Sequence, residues 1–141
     1  MCLSNAKEIK TIKEDITCFK VFKFDGELSD RAILYSPSYE KKWIKGGLYS
    51  TGNTSPSFGY ESFNLTGVSV HGQAYHSFKN VDDAISYARL LKEGTHFSIC
   101  VCECTIPKNT KYLYKGRTLL KGYEAYASER LKIKKYSYCI Y

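Results

Sequence analysis

The clearest hydrophobic pattern along the chain is a helical stripe within residues 81–91. Its apolar side chains recur at spacings of three and four residues, which places them on one face of a helix. They are Val81, Ala84, Ile85, Ala88 and Leu91. Asn80 precedes the stripe as a capping residue, two aspartates in the first turn complement the helix dipole, and Gly94 fits a left-handed C-terminal position. The pattern predicts one well-defined helix over residues 80–93.

Strand patterns surround this helix. Residues 16–24 (ITCFKVFKF) alternate in a way that buries most of both faces, and residues 97–106 (FSICVCECTI) are apolar at nearly every position, which predicts a central strand. Residues 131–136 alternate apolar side chains with lysines, which predicts a terminal strand with one face in solvent. Shorter strands are predicted at residues 31–35, 41–50, 73–78 and 110–114, whereas residues 116–127 are ambiguous and residues 51–59 form a surface loop.

One helix among many short strands predicts a single-domain α+β fold with a curved, mostly antiparallel sheet. The chain has 141 residues, which is enough for one core without covalent staples. We assign residues 16–141 to this domain. Residues 1–15 are polar and rich in lysine, so we expect a loose arm or a short helix there.

The composition bears on where the protein is located and on whether it binds a metal. No apolar run approaches the roughly 20 residues of a membrane span, and the N-terminus has no signal-peptide core, which predicts a soluble, cytoplasmic protein. Six cysteines are therefore expected as reduced thiols, mostly small buried residues. Cys100, Cys102 and Cys104 alternate on one strand, but the pattern lacks the second pair of a zinc site. We predict neither a metal nor a cofactor.

The net charge of the chain indicates the kind of ligand that the protein binds. The chain carries 21 Lys+Arg against 14 Asp+Glu, a net charge of +7, together with 13 tyrosines, a combination that favours an anionic, nucleotide-like ligand or a nucleic acid. Most of the surplus lies after residue 107, and alternation on a sheet would place these cations on one wet face. The predicted ligand-binding cations are Lys111, Arg117, Lys121, Arg130 and Lys132, with Lys134 and Lys135 in the same basic stretch. The alternative is an ordinary lysine-rich soluble surface.

A second candidate ligand site is the strand end Tyr75-His76-Ser77. It lies just before the N-terminus of the predicted helix, where free backbone N–H groups favour an anion. These three residues could hold a phosphate or a ribose. The alternative is a histidine that simply hydrogen-bonds the backbone at the end of a strand.

Several phrases of the sequence resemble a small domain family of unknown function found in phages, prophages and mobile elements of gut bacteria. They include Asp15-Ile16-Thr17-Cys18, Gly46-Gly47-Leu48-Tyr49, Ala74-Tyr75-His76-Ser77-Phe78 and Glu103-Cys104-Thr105-Ile106-Pro107-Lys108. The chain departs from that family at Ala74-Tyr75, where Gly-Phe is usual, and at Asn109, where Gly is usual. The resemblance implies the fold and a mobile-element setting, and it implies no reaction.

The segment Tyr75-His76-Ser77 also resembles strand motifs of ADP-ribosyltransferase-like folds. Such an enzyme would use His76 and a carboxylate, either Glu124 or Glu129, although solvated surface is the simpler assignment for both glutamates. Cys2 could act as an N-terminal nucleophile if the initiator Met were removed. His71 and His96 do not lie at metal-ligand spacing.

These observations predict a non-enzymatic phage or mobile-element accessory protein in the host cytoplasm that binds an anionic ligand, such as a nucleotide signal or a nucleic acid. A counter-defence role follows from the mobile-element resemblance. One alternative is a small ADP-ribosyltransferase-like enzyme acting on NAD. Another is an inhibitor that binds a host protein, and no membrane partner is expected.

Overall fold

The computed structural model describes residues 3–9, 12–29, 32–35, 42–43, 46–50, 74–111, 113–118 and 121–141. They form ten strands and one helix. In chain order these are β1 (Leu3–Glu8), β2 (Ile16–Phe24), β3 (Leu34–Tyr35), β4 (Lys42–Trp43), β5 (Leu48–Ser50), β6 (Tyr75–Phe78), α1 (Val81–Glu93), β7 (Ser98–Ile106), β8 (Leu113–Thr118), β9 (Glu124–Ser128) and β10 (Arg130–Ile140). The predicted α+β fold, with one helix and a mostly antiparallel curved sheet, is confirmed.

The strands run in the order β1-β8-β9-β6-β2-β7-β10-β5, and the pairings among these described strands are antiparallel. We call β1, β8, β9 and β6 the first half-sheet, and β2, β7, β10 and β5 the second half-sheet. The two halves meet at β6 and β2, which are paired at Phe19 and Phe78 alone. By contrast, β2 pairs with β7 along its whole length, so the sheet is continuous within each half and opens between them.

A second connection between the halves is covalent. β9 belongs to the first half-sheet and β10 to the second, yet Glu129 is the only residue between them. The chain therefore bends sharply at Glu129 and changes sheets, as strands do at the corners of sandwiches. Two hydrogen bonds hold the bend: Ser128 Oγ donates to the Arg130 carbonyl at 2.9 Å, and Glu129 Oε2 accepts from the Lys111 backbone N–H at 3.2 Å.

The main core lies between the half-sheets. Leu113 and Tyr126 from the first half belong to the same buried cluster as Phe22 and Ile133 from the second. Trp43 is fully buried in this cluster and fills the space between the halves, with its ring 4.9 Å from that of Tyr75 and 5.6 Å from that of Phe22. An aromatic residue of this size excludes water from the interior over an area that smaller side chains would leave open.

Helix α1 covers the opposite, outer face of the second half-sheet. Ala84 and Ala88, the buried positions of the predicted stripe, pack against Phe78, Ile99 and Val101. The small alanine side chains let the helix axis approach the sheet closely. Residues described by the structure include no helix long and apolar enough to cross a membrane.

Three local predictions need correction. Leu3–Glu8 is an edge strand paired with β8, not an arm or a helix, because the fully buried Leu3 side chain anchors it to the first half-sheet. Gly94 ends the helix at φ −98°, outside the left-handed region, because its N–H closes a tight turn onto the Leu91 carbonyl. The Asn80 side chain is at the N-cap position but makes no capping hydrogen bond.

Candidate functional site

The outer face of β10 carries a row of cations. Leu131 and Ile133 are fully buried in the core, so the residues that alternate with them point outward. We call these outward residues the β10 cation row: Arg130, Lys132, Lys134 and Lys135. The three lysines are exposed and the arginine is partly exposed. Over five residue steps of about 3.3 Å the row is roughly 16 Å long.

A β-bulge explains why four cations fit on so short a stretch. The register between β10 and β7 shifts between Ile133 and Lys135, which inserts one extra residue into β10. Lys134 and Lys135 therefore follow one another on the outside, and Tyr136 returns to the core side, where it packs against the main cluster. Without the bulge, strict alternation would send Lys135 into the core.

The row has one acidic neighbour on the adjacent strand. Glu103 pairs in register with Lys135, and its Oε2 lies 3.6 Å from Lys134 Nζ. Lys134 is exposed and Glu103 is partly exposed, so this ion pair contributes little to stability. In the next row of the sheet, Lys132 lies beside Thr105 and Thr17, which carry no charge. Glu103 is thus the one carboxylate that the described strand β7 places beside these four cations, and the row keeps a net positive charge.

The C-terminal half of β10 packs against other elements, whereas the outer face of its first half is exposed to solvent. Tyr138 and Ile140 pack against the cluster beneath α1, and the Arg89 guanidinium of that helix lies 5.8 Å from the centre of the Tyr138 ring. The cation row thus ends at an aromatic ring that is partly exposed and lies against a guanidinium. A ring and a planar cation at the end of a basic strip are groups on which nucleobases stack.

The other predicted cations lie elsewhere. Lys111 precedes β8, Arg117 is on β8 and Lys121 is in the turn after it, so all three belong to the first half-sheet. Four strands separate β8 from β10 in the sheet order. Lys111 lies beside the bend, where its backbone N–H bonds Glu129 next to Arg130, whereas Arg117 and Lys121 lie at the other end of β8. In addition, Arg117 Nη1 donates to the Gly122 carbonyl at 2.9 Å, which ties that side chain to its own turn.

The strand end Tyr75-His76-Ser77 is buried, with exposures of 3%, 4% and 0%. His76 Nδ1 lies 3.1 Å from the Ala74 carbonyl, which can only accept, so this nitrogen carries the proton and donates. The Tyr75 ring packs on Trp43 in the core. Ser77 Oγ is buried without a hydrogen-bond partner of good geometry in the described residues. The histidine therefore follows the simpler expectation of bonding to the backbone.

The N-terminus of α1 is acidic. Asp82 and Asp83 occupy its first turn, and Asp83 Oδ2 accepts from Asn80 Nδ2 at 3.4 Å. Carboxylates already complement the positive end of the helix dipole and repel a second anion. This end of the helix gives no support to the expected phosphate site.

The two glutamates lie at opposite ends of β9. Glu124 is partly exposed, at the opposite end of β9 from Glu129, and its Oε2 lies 3.6 Å from Lys79 Nζ. In contrast to the expected solvated position, Glu129 is only 4% exposed, because it lies at the bend between the half-sheets. His76 pairs with Ala127, between the two glutamates.

A buried lysine was not singled out from the sequence. Lys20 is 7% exposed, and its Nζ lies 5.7 Å from the centre of the Trp43 ring and 5.8 Å from that of Phe22. The ammonium donates to the His76 carbonyl at 2.7 Å, at the place where β2 and β6 separate. It thereby bridges the opening between the half-sheets. The signal for it was present, since Lys20 shares its side of β2 with Cys18, Phe22 and Phe24.

The thiols behave as expected for buried residues. Cys18, Cys100, Cys102 and Cys104 are buried and free, while Cys139 is partly exposed and free. Burial raises the pKa of the Cys18 thiol to about 12, an effect that the neighbouring Ser77 hydroxyl and Lys20 ammonium partly offset. Burial also raises the pKa of Cys104 well above its ordinary value. Cys18 and Cys104 are thus protonated at neutral pH.

No group of three or more His, Cys, Asp or Glu side chains in the described ranges has an arrangement that could hold a metal ion. His96 is exposed and stacks on the neighbouring Phe97 ring at 4.8 Å. Cys2, His71 and the expected loop at residues 51–59 lie outside the described residues.

Comparison with known proteins gives no relative for this chain. No family model, no curated protein and no solved structure matches it. The resemblance to a phage and mobile-element domain family therefore stays a prediction, and functional assignment rests on the surface described above.

Proposed function

We propose that the protein is a non-enzymatic polyanion-binding protein and that its ligand is a single-stranded nucleic acid held along the β10 cation row. The observation that supports this most is the bulge at Lys134 and Lys135, which keeps four cations outward while their neighbours remain in the core. Phosphate contacts supply most of the affinity in non-specific nucleic-acid binding.

An extended ligand fits this surface better than a single nucleotide does. The cations follow one another along a strand over roughly 16 Å, and small-molecule sites are concave pockets instead. At the end of the row, the Tyr138 ring against Arg89 offers a platform for a base. The phage setting and the counter-defence role rest on the sequence resemblance alone.

The test is binding of a fluorescein-labelled oligothymidylate of about 12 nucleotides, a length within the usual site sizes of single-strand binders. Fluorescence anisotropy at low salt compares two double variants that each remove two positive charges. Lys132→Gln with Lys135→Gln neutralises half of the cation row, whereas Lys7→Gln with Lys121→Gln neutralises two exposed lysines of the first half-sheet.

We expect the β10 variant to weaken binding about tenfold or more and the control variant to change it by less than about twofold. Equal losses in both variants would show that net charge, not this surface, attracts the oligonucleotide. Failure of the native protein to bind at low salt would overturn the proposal. An acidic surface of a host protein would then be the better candidate ligand for the row.

A further inference from the structure

Five thiols lie on the core side of three adjacent strands. They are Cys18 on β2, Cys100, Cys102 and Cys104 on β7, and Cys139 on β10. Cys139 differs from the other four because it is partly exposed. We therefore expect a small solvent-borne disulfide to reach Cys139 without unfolding of the sheet.

Cys139 also has a partner in register. It pairs directly with Cys100 across the β7–β10 ladder, and the two side chains point to the same face. Directly opposite residues of antiparallel strands have Cα atoms about 4.5–5.5 Å apart, which lies inside the range of about 4.4–6.8 Å that disulfides require. Cys18 and Cys104 form a similar pair, but both are fully buried.

We propose that Cys139 and Cys100 are a redox-modifiable pair that forms a cross-strand disulfide by exchange with a small-molecule disulfide. This site is separate from the outward β10 cation row, since Cys139 packs against the core side of the sheet. Its formation does not depend on whether the protein binds nucleic acid.

The exchange proceeds in two balanced steps. The Cys139 thiolate attacks one sulfur of the small disulfide, which breaks that S–S bond, forms a mixed disulfide on Cys139 and releases one small thiolate. Cys100 then loses its proton and attacks Cys139 Sγ, which expels the second small thiolate. Two protein thiols are oxidised, one small disulfide is reduced to two thiols, and no further oxidant is needed.

Cys102 is the competing partner. Its Sγ lies 4.0 Å from Cys100 Sγ, but the two residues are two positions apart on one strand, near the upper limit of Cα separation for a disulfide. Cys139 faces Cys100 from the neighbouring strand and is better placed. Burial and the nearby Cys100 raise the pKa of Cys139, so the first step accelerates as the pH is raised.

The experiment treats the folded protein with excess oxidised glutathione at mildly alkaline pH, in a Cys2→Ser background that removes the N-terminal thiol. Free thiols are then alkylated, the protein is digested with trypsin without reduction, and linked peptides are identified by mass spectrometry. We expect residues 136–141 joined to residues 93–108, and a melting temperature that rises on oxidation and falls again with dithiothreitol, because the bond closes a loop of the chain.

Matched variants locate the bond. Cys139→Ser and Cys100→Ser should each abolish the linked peptide, whereas Cys102→Ser should retain it. A stable glutathione adduct on Cys139, no oxidation at all, or a linked peptide that persists in Cys100→Ser would overturn the proposal. If Cys100→Ser does not fold, fragmentation of the linked native peptide identifies which of its three cysteines carries the bond.

Discussion

At the scale of single residues, Lys20 stands out because it is a charged side chain in a buried position. A lysine that is 7% exposed has lost most of its hydration, and its ammonium compensates through the His76 carbonyl and the faces of two aromatic rings. The hydrogen bond joins β2 to β6 beyond their one paired position. Lys20 therefore acts as a bridge between the half-sheets.

We expect Lys20→Ala to lower the free energy of unfolding by about 2–4 kcal/mol, because it removes both the packed stem and the charged donor. Urea unfolding followed by tryptophan fluorescence measures this, since Trp43 is the only tryptophan and touches the site. Lys23→Ala, on the same strand but the opposite face and partly exposed, should cost less than about 1 kcal/mol.

Lys20→Met separates the two contributions, because it keeps most of the stem and removes only the ammonium. A loss smaller than that of Lys20→Ala but larger than that of Lys23→Ala would fit the bridging role. Equal stability of Lys20→Ala and Lys23→Ala would contradict it.

At the scale of elements, the sequence predicts best where the pattern is long. The helical stripe ending at Leu91 and the apolar runs of β2 and β7 were predicted within one or two residues, because their burial extends over three turns or nine positions. Leu3–Glu8 was not, since a single large apolar residue, Leu3, anchors a mostly polar edge strand. The half-sheets could not be foreseen either, because the bend at Glu129 depends on strands that are distant in sequence.

If residues 3–8 form strand β1 and not a loose arm, the Leu3 side chain should contribute to stability. Leu3→Ala should destabilise the protein by about 2–3 kcal/mol, because Leu3 is fully buried against Ala125, Ala127 and Tyr114. Thermal and urea unfolding would measure the change. Lys7→Ala on the same strand is exposed and should be nearly neutral. Native-like stability of Leu3→Ala would mean that residues 3–8 do not belong to the fold.

At the scale of the whole molecule, the strand order distributes the basic residues that give the net charge of +7 over both half-sheets. Basic residues that follow one another in sequence after residue 107 lie in two half-sheets, so composition alone cannot say which of them share a surface. β-Bulges and changes of half-sheet cannot be predicted from the alternation of apolar and polar residues, because both interrupt that alternation. What the sequence did predict is that Arg130 and Lys132 belong to the candidate surface, since each alternates with a buried residue.

If a polyanion binds to the four cations of β10, oligothymidylate binding weakens steeply as the salt concentration rises, because the bound phosphates release counterions. Each neutralised phosphate of a single strand contributes about −0.7 to the slope of log K against log salt concentration, so four contacts predict a slope of about −3 for the native protein. A slope of about −3 supports phosphate contacts with all four cations of the row. A slope between zero and about −1 would contradict them, because fewer than two phosphates would then meet the row.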